Sequence, residues 1–220
     1  MDKQHITHPA DPQPAVLTFS AKALSYIFHP LFIPTYFYLW TLGRFGVEFS
    51  GAAPGDLKLR AIGVFITTAF FPALTVLLLW KLKFISNIYL RSNKERIVPY
   101  VAAMIFYWWM WFLSKGFQDQ ALSLKFFYFG IFIATIPALI LNSFCKVSMH
   151  AMGMAGLATA MFISCIMYHT YYGVDLIIAV LMCGMVCSSR LLLKEHTQAE
   201  IYLGALIGIL AQLVAYWVMI

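Results

Sequence analysis

Charge is scarce in this chain. Of its 220 residues only 11% are Asp, Glu, Lys or Arg, and the carboxylates number nine. Ordinary soluble domains carry about 25% charged residues, so a solvated globular fold is excluded at the outset. Cysteine is scarce as well. Cys145, Cys165, Cys183 and Cys187 fall within or at the ends of apolar runs. Disulfide and zinc frameworks need clustered ligands outside lipid, so these read as buried thiols. Linkers, low-complexity tracts and obvious repeats are missing, which leaves a single domain over 1–220, its first 28 residues a polar tail and an interfacial helix. The polar, proline-bearing stretch from Met1 to about Phe19 lacks the short apolar core of a cleavable signal peptide. No nucleic-acid partner is expected, and the net charge of +6 suits either basic loops or anionic lipid headgroups.

What the chain does have is hydrocarbon. Hydrophobic residues make up 62% of it, and its mean hydropathy is +0.80. Six runs approach the roughly 20 residues a helix needs to cross a bilayer core. These are Leu31–Leu42 with extensions on both sides, Ala61–Trp80, Ile97–Leu113, Phe126–Phe144, Ala151–Tyr168 and Ile201–Ile220. A seventh, Leu176–Cys187, lengthens back through Tyr171 if it takes in Asp175. The expected fold is an all-α, polytopic transmembrane bundle of six to seven spans. Leu17–Phe28 reads as an amphipathic stretch at the membrane surface, leading to His29-Pro30. Gly43 to Arg60 and Lys115 to Lys125 read as loops. Asn93 is expected to cap the third span and Pro99 to sit in its first turn, where a missing N–H costs nothing. Small residues in the fifth span, and Gly204 and Gly208 at GxxxG spacing in the last, read as packing faces.

Three polar clusters interrupt the hydrocarbon: Arg91, Lys94, Glu95 and Arg96; Lys146-Val147-Ser148-Met149-His150; and Ser189-Arg190, His196 and Glu200. Counting crossings puts all three on one membrane face. An arginine, a histidine and a carboxylate are costly in hydrocarbon, so the third cluster suggests function rather than packing. With His196 and Glu200 at i and i+4 on a helix turn, the carboxylate holds one imidazole nitrogen and frees the other as a nucleophile. Together the clusters supply cations, a helix N-terminus and two histidines, the needs of phosphoryl transfer.

At this point the chain resembles the type 2 phosphatidic acid phosphatase superfamily, whose motifs are Lys-x6-Arg-Pro, Pro-Ser-Gly-His and Ser-Arg-x5-His-x3-Asp. The third stands here as Ser189-Arg190, His196 and Glu200, with Glu for Asp. The second stands as Val147-Ser148-Met149-His150. In the first, counted back from Pro99, Arg91 holds the lysine position and Val98 the arginine position, so Lys94 or Arg96 takes that role or one phosphate contact is missing. The resemblance covers roughly Arg91 to Gly204 and rests mainly on the third motif. It implies a lipid phosphatase without metal or cofactor. His196 would form a phosphohistidine, Glu200 would fix its tautomer, and His150 would protonate the leaving oxygen and later activate water. Arg190, Ser148 and one or more of Arg91, Lys94 and Arg96 would hold phosphate. The expected substrate is a lipid phosphate reached from the bilayer: a polyprenyl diphosphate, phosphatidylglycerophosphate or phosphatidic acid. A bacterial inner membrane is the expected location. The alternatives are an anion carrier or binding protein and an inactive relative. Asp175 and His169 fall at the opposite face from the three clusters, where an interfacial Asp beginning a helix is a simpler reading than proton coupling.

Overall fold

The computed structural model describes residues 14–88, 90 and 92–219. Every regular element among them is helical, as lipid requires of a chain with no means of closing a barrel, because each backbone N–H and C=O must find its partner within the span. Seven helical runs are long and apolar enough to cross a membrane. The protein is an integral membrane helix bundle.

The first run is broken. Helix α1 (Ala15–Ile27) stops at Phe28, a single 3-10 turn covers Pro30–Phe32, and α2 (Ile33–Arg44) continues the crossing. The break follows from Pro30 and Pro34, whose missing N–H groups and fixed φ interrupt helical hydrogen bonding. The amphipathic stretch expected at the surface is α1, with Ala21 and Ser25 buried, and it packs against α8 (Gly173–Leu192). The second run joins α3 (Pro54–Phe65) to α4 (Phe71–Lys81) through one π-helical turn at Ile66–Phe70. The remaining spans are α5 (Asn93–Gly116), α6 (Leu122–Leu141), α7 (Met149–Met167), α8 and α9 (Gln198–Met219).

Several helices extend beyond the apolar runs. The expected loop from Gly43 to Arg60 is shorter, because α3 already starts at Pro54. Lys115 and Lys125 likewise belong to α5 and α6. Helix α5 also corrects two local expectations. Its cap is Ser92, whose hydroxyl accepts from the Glu95 N–H at 3.3 Å, so Asn93 is already helical. Pro99 therefore lies inside the helix rather than in its first turn.

Helix α7 is the hub. In its most apolar window 61% of residues are buried, against 17% for α8 and for the α1–α2 run. Its closest neighbour is α9, and glycine is the reason. A Cβ on Gly204 would lie 2.5 Å from the Ser148 carbonyl oxygen, and one on Gly208 would collide with the Met152 carbonyl and approach the Gly156 nitrogen to 3.0 Å. Small residues allow this contact between backbones, which gives helix association in lipid its dispersion energy. The GxxxG reading therefore holds as geometry, and it sets the start of α7 against the start of α9.

Candidate active site

The turn between α8 and α9 is ordered by a reciprocal cap. Thr197 Oγ1 accepts from the Glu200 N–H at 3.4 Å, and Glu200 Oε2 accepts from the Thr197 N–H at 3.0 Å. The same Oε2 lies 3.0 Å from His196 Nδ1. An ionised carboxylate only accepts, so Nδ1 carries the proton and Nε2 keeps its lone pair. The His196 side chain is 4% exposed. Burial, with Lys146 and Arg190 nearby, holds its pKa at about 4 against the raising influence of Glu200. His196 is therefore neutral at pH 7, the state in which an imidazole nitrogen can act as a nucleophile.

The start of α7 lies directly against this turn. Ser148 caps the helix through its hydroxyl, which accepts from the Ala151 N–H at 3.4 Å, and its own N–H donates to the Glu200 carbonyl at 3.2 Å. Ser148 is fully buried, and its polar groups serve helix placement. Two residues on, His150 Nε2 lies 3.1 Å from the Ser25 carbonyl of α1. A carbonyl only accepts, so Nε2 is the protonated nitrogen of His150. The ring of His29 meets that of His150 edge to face, with centroids 5.3 Å apart, while His29 Nδ1 accepts from the Leu31 N–H at 3.4 Å.

Cations surround the two histidines. Arg190 donates from one Nη to Ser25 Oγ at 3.3 Å and places the other 3.8 Å from Glu195 Oε2. Its Nε is buried and has no hydrogen-bond partner among the described residues. Lys146 donates to the Glu195 carbonyl at 2.9 Å and lies 3.7 Å from the same Oε2. Desolvation lowers the Lys146 pKa, as do Arg96 and Arg190, while Glu195 and Glu200 oppose the shift. Arg96, on the first turns of α5, is half-buried, donates to the Leu90 carbonyl at 2.7 Å, and interacts electrostatically with Glu195 and Glu200. Lys94 is exposed and enters none of these bonds among the described residues. Arg91 lies outside the described residues. The Asn142 amide donates to the Asn93 carbonyl at 2.8 Å, fixing the start of α5 beside the end of α6.

The fold thus brings together His150, Arg190, His196, Glu200 and Arg96, and leaves Lys94 aside. Sequence reading missed Ser25, His29 and the weight of Lys146. Parity offered a signal for His29: α2 and the α3–α4 run return the chain to the face that holds Arg96. Asp175 and His169 lie at the other end of the bundle, where Asp175 accepts from Arg44 at 2.7 and 2.8 Å and from Trp40 Nε1 at 2.8 Å. No family model, curated protein or solved structure matches the chain.

Proposed function

We propose that the protein is a membrane lipid phosphatase of the type 2 phosphatidic acid phosphatase kind, acting through a phosphohistidine. The observation that carries this reading is that two histidines of assigned tautomer, on α7 and the α8–α9 turn, lie within electrostatic reach of each other and of Arg190 on α8, which shares Ser25 with His150.

In the proposed reaction His196 Nε2 attacks phosphorus with its lone pair while the bond to the lipid oxygen breaks. His150, protonated in the complex with the dianionic headgroup, gives its proton to that oxygen and is left neutral. It then takes a proton from water. The resulting hydroxide oxygen attacks phosphorus, the phosphorus–Nε2 bond breaks, and phosphate leaves. Glu200 holds Nδ1–H and stabilises charge on His196. Arg190, Arg96 and Lys146 balance the charge on the equatorial oxygens. Ser148 acts through backbone placement, its hydroxyl being engaged in the cap.

The surroundings support a lipid substrate. The site sits at the ends of membrane spans with little polar chain outside them, which suits a headgroup presented by the bilayer. Purified protein in mixed micelles, given phosphatidic acid, phosphatidylglycerophosphate or a polyprenyl diphosphate, is expected to release phosphate in a vanadate-sensitive manner. Absence of release from all three would overturn the assignment and favour an anion-binding role for the same cations.

A further inference from the structure

Three cations, Lys146, Arg190 and Arg96, face two carboxylates, and the carboxylates do different work. The Glu200 carboxylate is held by two contacts, to His196 Nδ1 and to the Thr197 N–H, at 3.0 Å each. Glu195 is held loosely. Its Oε2 bridges Lys146 at 3.7 Å and Arg190 at 3.8 Å, beyond hydrogen-bond length, and its side chain is 50% exposed. Ion pairs elsewhere in the fold are tight: Arg44–Asp175 at 2.7 Å and Arg60–Asp119 at 2.9 Å. Among the described residues, the stretched pairs are those of Glu195. Its backbone carbonyl, by contrast, grips Lys146 at 2.9 Å, so the ammonium keeps its place if the carboxylate swings away.

We infer that the Glu195 carboxylate is the resting occupant of the anion seat between Lys146 and Arg190, and that a phosphate group displaces it on binding. This rests on the phosphatase reading for its setting, and it names Lys146 as a phosphate-holding residue. The seat adjoins His196, which feels the charges of both Lys146 and Arg190. A carboxylate left there would repel the headgroup as it approached. With it gone, Lys146, Arg190 with its unpartnered Nε, and Arg96 face the incoming dianion. The displaced side chain is already half in solvent, so the exchange costs little.

The test is phosphate binding by the full chain in detergent, measured by equilibrium dialysis with radiolabelled inorganic phosphate and by its competition with short-chain phosphatidic acid. Glu195→Gln is expected to tighten binding about two- to fivefold, the scale of one exposed ion pair removed as competitor. Lys146→Met is expected to weaken binding by a similar factor and to shrink the gain from Glu195→Gln when the two are combined. Tightening for inorganic phosphate and lipid alike identifies a general phosphate seat, whereas tightening for lipid alone identifies a headgroup seat. Glu195→Ser, which also removes the charge, stands in if the glutamine variant does not fold. Unchanged or weaker binding in the Glu195 variants, or no binding by any form, overturns the inference. The phosphatase reading fails separately, by absence of lipid hydrolysis in wild type that nevertheless binds phosphate.

Discussion

At the scale of single residues, His196 and His150 are committed by their neighbours to opposite roles. Glu200 leaves His196 a free Nε2, and the Ser25 carbonyl accepts a hydrogen bond from the Nε2–H of His150. Replacing either histidine with alanine is expected to lower phosphate release at least about a hundredfold, since each removes a participant in the chemistry. Glu200→Gln keeps the nucleophile and is expected to cost less. Steady-state kinetics on the three variants checks the order. The pH behaviour also follows from His196. Its pKa in the folded protein is about 4, below the ordinary 6.5. The limb of kcat/KM that reports its protonation is therefore expected near pH 4. Between pH 6.5 and 4 the unfolded chain holds this proton and the folded one does not, so the contribution to stability falls as pH drops through that window. Thermal unfolding of wild type and His196→Asn across this range reads the difference. A steeper loss in the variant would contradict it.

At the scale of elements, the α7–α9 contact governs the site, because the Ser148 N–H to Glu200 carbonyl bond lies one turn from Gly204. Gly208→Ala is expected to destabilise the fold by about 1–3 kcal/mol through overpacking. Gly204→Ala, nearer the chemistry, is expected to lower kcat more than it lowers the melting temperature, by separating His150 from His196. Melting and turnover measured on both variants decide this. Much of the element layout was legible in sequence because hydrocarbon demands long apolar runs. Helix ends were not, since polar residues such as Asn93, Asp56 and Lys115 continue a helix past the bilayer core. The pairing of His196 with Glu200 was readable from its four-residue spacing. His29 was not: a lone histidine before a proline gives no local signal, and its place beside His150 depends on a fold that joins α1 to α8. Glu195 was hidden for the same reason, its cation Lys146 lying on a different linker.

At the scale of the whole molecule, the two ends of the bundle are built differently. One end gathers Ser25, Arg96, Lys146, His150, Arg190 and His196. The other is closed by Arg44 with Asp175 and Arg60 with Asp119. Asp175→Asn is accordingly expected to lower the melting temperature while leaving KM for a lipid phosphate unchanged. In a cysteine-free background, Lys94→Cys and Lys58→Cys, both at exposed positions, are expected to react with an impermeant maleimide from opposite sides of oriented vesicles. Labelling from one side alone would overturn the topology.

The pocket takes Ser25 and His29 from the first span and Glu200 from the seventh, and this has a consequence for biosynthesis. Spans leave the ribosome in order, so the contact of α9 with α7, including the Ser148 N–H to Glu200 carbonyl bond, forms only once α9 has been made. A chain stalled after α8 would lack Glu200, and with it the hydrogen bond that fixes His196 Nδ1. Docking of α9 on α7 is thus the step that brings Glu200 to His196 beside the start of α7.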